Sequence, residues 1–410
     1  MRIIVISAVT AATLTAGGYT IPESSINATA LSAAYVANAH GADTAYYNPA
    51  AMVYNDDAGL LEVDTTYIAL SKINYQGSYT ASGVTTGPYD INSNSESFLV
   101  PTLHYTSPKL GKNGMRAGLS VVVPGGLSKR WDVQPARSSA QEFTLKTVEV
   151  NPTVAVPLSD TVSVGGGLRI VRTDGVVKSN SGTTQVSRDL KGDSIDVGYN
   201  LALNYRPKPN LSLAVTYRSQ IDLSVDGSAI LNYLPSVSPA HSAYDGPANV
   251  TVPLPAALNL AAAYTFVSGT TIEAVYTRTY WSAYKTLDFD YSGISNTATA
   301  VFGAPIPKNW KDTNTYRLGL TQKYEKWTAM AGVAYDETPV PEATLGYELP
   351  DSHGWIVSLG GRYAIDERWN IGLAGLIDRK ENREVHNTAI NGEFSNARAY
   401  LVTAGIEYRF

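Results

Sequence analysis

Cysteine is absent from the 410 residues, which excludes disulfides, thiolate metal sites and thiol nucleophiles together. Charge is scarce: Asp, Glu, Lys and Arg make up 16% of the chain, and the net charge of −5 leaves no basic footprint for nucleic acid. The chain also lacks an apolar run of about 18 residues, so it carries no transmembrane helix. Phenylalanine is rare at 7, whereas tyrosine reaches 27 and tryptophan 6. Rings with a polar tip in that excess suit a surface that meets both apolar material and water.

The N-terminus predicts export. Arg2 precedes an apolar stretch from Ile3 to Leu14, and the small residues Thr15, Ala16, Gly17 and Gly18 come next. A basic start, a short apolar centre and a small-residue end describe a signal peptide, assigned to residues 1–16.

Period two dominates the rest of the chain. Tyr400, Val402, Ala404, Ile406, Tyr408 and Phe410 share one face; Leu401, Thr403, Gly405, Glu407 and Arg409 share the other. Ile195, Val197, Tyr199, Leu201, Leu203 and Tyr205 likewise oppose Asp196, Gly198, Asn200, Ala202 and Asn204. A soluble sandwich alternates too, but here the apolar face ends in Tyr or Trp and the other face is small and polar rather than dense in Lys and Glu. That is how lipid-facing strands meet two interfaces. Unpaired backbone groups cost several kcal/mol each in hydrocarbon, so such strands must close into a ring. The reading is therefore all-β: an antiparallel transmembrane β-barrel of about fourteen strands over residues 58–410.

The strands fall at roughly 58–76, 94–107, 114–127, 140–158, 160–174, 190–206, 210–226, 247–265, 269–290, 310–324, 326–336, 352–364, 367–382 and 395–410. Short connections alternate with longer ones at about 77–93, 128–139, 175–189, 227–246, 291–309, 337–351 and 383–394, as periplasmic turns and external loops do. Both termini are then periplasmic. No internal repeat or second folded domain is evident. Residues 17–57 do not alternate. A barrel this wide cannot be filled by its own side chains, so this compact segment is expected inside it as a plug, or hatch.

Motifs in the family's order give the chain a resemblance to the FadL family of outer-membrane transporters for hydrophobic compounds. They are Ala16-Gly17-Gly18-Tyr19, Asn48-Pro49-Ala50, Val100-Pro101-Thr102-Leu103-His104-Tyr105, Val252-Pro253-Leu254-Pro255, Tyr280-Trp281-Ser282-Ala283-Tyr284 and Tyr335-Asp336-Glu337-Thr338-Pro339-Val340-Pro341. The resemblance implies a monomeric channel with no cofactor, plugged by its N-terminus and gated around Tyr19, Asn48, Pro49 and Ala50. It implies a hydrophobic ligand, fatty acid or hydrocarbon, and release sideways into the membrane through a break in the third strand. Pro124, Gly125 and Gly126 on that strand, with Pro101 and Pro152 on its neighbours, weaken the local ladder, because proline cannot donate and glycine marks bulges. The ending Ile406, Tyr408, Phe410 resembles the signal read by the barrel-assembly machinery, and the partners expected are that machinery, outer-membrane lipid or detergent, and the ligand. Where fatty-acid importers are expected to place basic residues, this chain has Asp174 and Asp288, which favours an uncharged ligand; Arg169 or Arg172 remains the candidate for a polar contact.

The rival readings are a polar-solute porin, which has no use for a plug, and a structural or adhesive barrel. An outer-face phospholipase would need Ser beside His; His104 lies in a strand, but no nucleophile motif accompanies it. The chain reads as a transporter and not an enzyme.

Overall fold

The computed structural model describes residues 17–182, 186–233 and 242–410. The expected signal peptide, residues 1–16, lies outside the described residues.

The wall consists of fourteen strands, several in two pieces: β1 Leu60–Leu70, β2 Glu96–Thr106, β3 Arg116–Val122 and Gly126–Arg130, β4 Glu142–Pro157, β5 Val162–Asn180 and β6 Ser187–Lys208. They continue as β7 Leu211–Arg218 and Ile221–Tyr233, β8 Ser242–Leu254 and Ala257–Thr265, β9 Thr270–Thr279 with Phe289–Tyr291, β10 Thr313–Lys323 and β11 Trp327–Asp336. The last three are β12 Gly354–Ala364, β13 Trp369–Lys380 and β14 Arg398–Arg409. Each pairs antiparallel with its successor, and β14 returns to β1 from Leu60↔Arg409 to Leu70↔Ala399, which closes the ring. The two ends of the wall meet at the short-turn end, where Gly59 N donates to the Phe410 carbonyl over 3.0 Å, whereas Gly17, the first described residue, lies beside Asp336 and the Glu337 carbonyl at the start of a long connection.

The alternation is realised as expected. Ile195, Val197, Leu201, Leu359 and Leu373 are exposed on the outer face, whereas Asn200, Asn204, Ala374 and Thr403 are buried on the inner one. Aromatic pairs bound the apolar band at both ends: Trp327–Tyr363 and Trp369–Tyr408 near the short turns, Tyr335–Trp355 at the other end. Tyr363 and Trp355 lie eight positions apart on β12. That is about 26 Å along the strand at roughly 3.3 Å per residue, which after tilting fits an apolar band of about 25 Å. The cost of a misplaced charge should therefore depend on depth. Leu373→Arg, in mid-band, is expected to lower folding stability in lipid vesicles by about 2–4 kcal/mol, and Trp369→Arg at the rim by about 0–1 kcal/mol. Equal losses in a denaturant titration would argue against a lipid-embedded wall.

The long-connection end differs from the sequence expectation. β5 and β6 run on to Asn180 and back from Ser187, through residues expected to be loop. Backbone pairing persists there although polar residues such as Lys178 and Ser179 interrupt the apolar pattern. β7 and β8 extend to Tyr233 and from Ser242, and the residues between lie outside the described ones. Conversely, β1 stops at Leu70 instead of about residue 76. The next hairpin, Asn74–Ala81 and Val84–Asn92, pairs with Ile390–Ser395 and Arg383–His386 in a separate four-stranded sheet. β9 is interrupted after Thr279 by a turn at Trp281–Ala283. Under the small sheet Tyr75, Trp131, Tyr347 and Phe394 form an apolar core, with Trp131 Nε1 donating to the Tyr347 carbonyl over 2.9 Å. The connection at 291–309 carries the helix Asn296–Phe302.

Candidate functional site

Residues 17–57 form two short helices, α1 Ile26–Ala30 and α2 Thr44–Tyr47, and the 3-10 turn Pro49–Tyr54. Ser25 caps α1, its hydroxyl accepting from Ala28 N over 3.2 Å. The segment bonds inward-facing side chains around the ring. On β9, Glu273 accepts from Val36 N, Ala37 N and Asn38 N at 2.7, 2.6 and 3.2 Å. On β12, Ser358 meets Ser32 at 2.8 Å and Arg362 Nε donates to Asn27 Oδ1 at 2.7 Å, while its Nη2 bonds Glu62 of β1 at 2.6 Å. On β14, Thr403 meets Thr29 at 2.9 Å and Glu407 accepts from Ala42 N at 3.0 Å. His104 of β2 faces inward, its ring between Ser120 Oγ and the Ser24 carbonyl, so it holds the segment and presents nothing to an outer face. The inner face is small because this segment lies on it: a Cβ at Gly332 would stand 2.1 Å from the Leu31 carbonyl carbon.

Asn48 is fully buried and its Nδ2 donates to the Val36 carbonyl at 2.8 Å and to Asn204 Oδ1 of β6 at 2.9 Å. It thus joins two parts of the segment to the wall, rather than closing a turn on its own backbone. The Ala50 carbonyl accepts from Ser163 of β5 at 2.8 Å. Asn48→Ala strands two buried acceptors, each worth about 1–3 kcal/mol. The variant is expected to release residues 17–57 to added protease at a concentration that leaves the parent intact, with the wall still assembled.

β3 is broken. β2 pairs with β3 only from Leu103↔Val121 to Thr106↔Gly118, so the stretch holding Pro101 has a described ladder partner on its β1 side alone. Val123–Gly125 leave the ladder between Val122↔Glu149 and Gly126↔Lys146, with Gly125 N held by Thr147 Oγ1 at 3.3 Å. The N-terminal residues pair with the break: Ile21 N donates to the Pro124 carbonyl at 3.0 Å and Gly126 N to the Tyr19 carbonyl at 2.9 Å. Pro101, Pro124, Gly125 and Gly126 therefore come together. Pro152 does not; it stands opposite Leu119, where the β4–β5 ladder skips between Val150↔Ile170 and Thr153↔Gly167.

A cavity of about 120 Å³ adjoins the break, bordered by Ile21, Tyr47, Pro49, Pro124, Arg169 and Arg317. Beyond Tyr19 a smaller space of about 40 Å³ is lined by Leu127, Phe143, Val225, Val252 and Phe289. The Tyr19 ring lies 4.7 Å from that of Trp281 and 5.7 Å from that of Trp310, and its hydroxyl donates to the Pro253 carbonyl. At the edge of the smaller space Lys308 pairs with Glu348 at 2.5 Å. Burial alone would raise the Glu348 carboxyl, but the Lys308 ammonium outweighs it and holds the group below the usual carboxylate range.

The two arginines expected as alternative candidates for a polar contact are separated. Arg169 is buried at the cavity, with Nη2 3.1 Å from Glu149 and Nη1 donating to the Ser219 carbonyl at 2.5 Å. Arg172 lies three positions on, an odd step along a strand, so it points outward to Asp174 and Asp193 at 3.5 and 3.6 Å. That expectation is corrected for Arg172. Arg218, which the sequence did not single out, is the second cation of this wall and shares Glu149 with Arg169. Ile406 and Phe410 are exposed at the short-turn end, the Phe410 ring stacked 6.2 Å from that of Tyr105.

Residues 7–410 match the family described as outer membrane protein transport protein (OMPP1/FadL/TodX). The chain belongs to this family. The long-chain fatty acid transport protein of Escherichia coli K12 is 22% identical over 355 residues, covering 76% of this chain and 77% of that relative. A 47 kDa outer membrane protein of Pasteurella multocida is 24% identical over 54% of this chain and 52% of its own length. Among solved structures, a Pseudomonas aeruginosa FadL homologue superposes with a TM-score of 0.82 at 20% identity, covering 96% of this chain and 99% of that one. The P. putida toluene transporter TodX gives 0.71 at 17%, covering 94% and 99%. These structures share the fold with this FadL/TodX-family chain, and the family makes it an outer-membrane transport protein.

Proposed function

We propose that this FadL/TodX-family barrel takes up apolar small molecules, with residues 17–57 as its plug and the break in β3 as a sideways exit. In this reading the long connections face the outside and the C-terminus the periplasm, while Gly17, beside Asp336 and the Glu337 carbonyl, lies inside the barrel toward the long connections. Ligand gathers in the space lined by Leu127, Phe143 and Val252, passes Tyr19, and reaches the cavity bordered by Pro124. The observation that carries the reading is that Pro124 borders the cavity at the place where β2 lacks a described β3 partner. Rehydrating an apolar molecule costs about 25 cal/mol per Å², so exit into the bilayer is favoured over exit into the periplasm. The relatives are named for long-chain fatty acids and for toluene. An uncharged ligand fits better here, because Arg169 and Arg218 already share Glu149, and a carboxylate would have to compete with that buried ion pair.

The test is uptake by cells with and without the protein. Toluene-like and longer neutral hydrocarbons are expected to enter faster with it, and a small sugar is not. Faster sugar entry with unchanged hydrocarbon entry would make the protein a porin.

A further inference from the structure

On the outer face toward the long connections, several cations sit beside acids: Arg172 beside Asp174 and Asp193 at 3.5 and 3.6 Å, Lys178 beside Asp189 at 3.3 Å, and Arg278 beside Asp312 at 3.2 Å. At one place two cations oppose each other instead. Arg379 of β13 stands directly across from Arg398 of β14, and both are exposed on the outer face. Lys380 N donates to the Ala397 carbonyl at 3.1 Å, a bond that flanks this pair. A pair flanked by bonds rather than joined by them is the close type, with Cα atoms about 4.5 Å apart. Like charges so placed destabilise a sheet. Neither arginine side chain forms an ion pair or a hydrogen bond with the described residues. Glu381, two positions past Arg379, lies toward Tyr335 of β11 and acts electrostatically on it.

The surroundings of the pair suit one kind of counter-ion. Trp355, which marks the edge of the apolar band, is opposite Arg379 on β12, so the guanidinium groups stand where hydrocarbon gives way to head groups. On the other side β1 ends at Leu70, and Ser71 N donates to the Arg398 carbonyl at 3.0 Å. Ser71 Oγ accepts from Arg398 N at 2.9 Å and donates to the Asn396 carbonyl at 2.6 Å, which sets the exposed Lys72 beside the start of β14. Toward mid-band the same two columns turn apolar: Ile377 faces Tyr400, and Gly375 faces Val402. A Cβ on Gly375 would have one neighbour within 4 Å, the Leu401 carbonyl oxygen at 3.9 Å, so the wall is hollowed there. Positive charge at head-group level above an apolar hollow is the complement of an anionic lipid.

We propose that Arg379, Arg398 and Lys72 form a site for a phosphate group of the phosphorylated glycolipid in the outer leaflet. The proposal rests on the reading that the long connections face the outside, and it is independent of the transported ligand. The phosphate lies between the two guanidinium groups, each of which offers it a fork of N–H donors. One anion then relieves the repulsion within the pair. It also ties β13 and β14 to the end of β1, across the seam where the first and last strands close the ring. Free phosphate lacks the chain that the hollow at Gly375 receives, so the occupant is the lipid.

The test uses the full barrel in an uncharged detergent, with native mass spectrometry to read bound lipid. The probes are lipid A carrying both phosphates and lipid A from which both have been removed. The parent is expected to prefer the phosphorylated form about 25-fold, each arginine beside an anionic lipid being worth about fivefold. Arg379→Gln with Arg398→Gln should erase that preference, with heat-modifiable migration of the barrel preserved, and Arg379→Lys with Arg398→Lys should keep most of it. Lys178→Gln, which removes a cation already beside Asp189, should leave it unchanged. Equal binding of the two lipids by the parent, or a preference that survives the glutamine pair, overturns the proposal. So does inorganic phosphate or phosphatidylglycerol that binds as tightly as phosphorylated lipid A, since the site would then be one for anions at large. Sidedness is read separately, by labelling Val84→Cys on the exposed hairpin with an impermeant thiol reagent in intact cells. Labelling there without a lipid preference removes the site and keeps the orientation. A preference with labelling only after the cells are broken reverses the orientation, and the outer-leaflet occupant falls with it.

Discussion

A barrel carrying Thr20→Cys and Gly125→Cys is expected to lose hydrocarbon uptake on oxidation and to regain it on reduction. Thr20 and Gly125 face one another in an antiparallel bridge whose flanking bonds run from Ile21 N to the Pro124 carbonyl and from Gly126 N to the Tyr19 carbonyl. Bonds on either side of a pair, with none between its members, mark the close pair type, with Cα atoms about 4.5 Å apart. That spacing lies within the reach of a disulfide, about 4.4–6.8 Å. A Cβ at Gly125 would stand 2.8 Å from the Tyr19 carbonyl oxygen, so the backbone must ease slightly to accept it. The chain has no cysteine of its own, so no other thiol competes.

The size of the effect reflects how weak the native contact is. Two backbone hydrogen bonds contribute about 0.5–1.5 kcal/mol each, a barrier that ligand binding beside Tyr19 can overcome. A covalent bond removes that freedom at the rim of the larger cavity, which Thr20 lines, and leaves the smaller space beyond Tyr19 untouched, so ligand should still bind the oxidised barrel there while transport stops. Each single cysteine variant should transport under both conditions. Continued uptake by a fully cross-linked barrel would mean that the N-terminal residues need not leave the break, and would redirect the exit to the short-turn end.

The wall was legible from sequence because lipid enforces period two on every strand: Ile195 through Tyr205 and Tyr400 through Phe410 show it without help from tertiary context. The structure past the band was not. Asn74–Ala81 pairs with Ile390–Ser395 across more than three hundred residues, and no local pattern encodes that choice of partner. Strand ends failed for a related reason, since pairing in water needs no apolar outer face and β5 continues through Lys178 unmarked. At the candidate site, proline and glycine located the break, but Pro152 was grouped with it because a missing donor does not say which neighbour loses the bond. Glycine marked a bulge there without saying what packs over it. Gly125 lies against the Tyr19 carbonyl, so a larger residue there evicts the N-terminal strand rather than sealing the gap. Glu273 carried no motif; its role depends on three amides of residues 36–38 that only the folded chain places over it.

Deleting residues 20–50 is expected to leave an assembled barrel whose lumen is open to water from the short-turn end. The ring closes through β1 and β14 without any help from the N-terminal segment. The inner face it leaves behind carries Glu273, Asn204, Ser358, Arg362 and Glu407, all of which now bond the segment and can bond water instead. A wall of about fourteen strands encloses more space than its own side chains fill, so water should enter rather than the wall collapse. Ser358 offers the readout: it is buried, it bonds Ser32 and the Ala30 carbonyl, and Ser358→Cys adds a single thiol to a cysteine-free chain. A polar, membrane-impermeant thiol reagent should fail to modify it in the full-length barrel and modify it at the rate of a solvent-facing thiol in the deletion variant. Ion conductance should rise alongside, to the extent that the apolar core of Trp131, Tyr347 and Phe394 leaves the opposite mouth passable. Equal protection of the introduced thiol in both barrels would show that the wall, not residues 17–57, closes the lumen, and that the N-terminal segment is a brace for the strands rather than a plug.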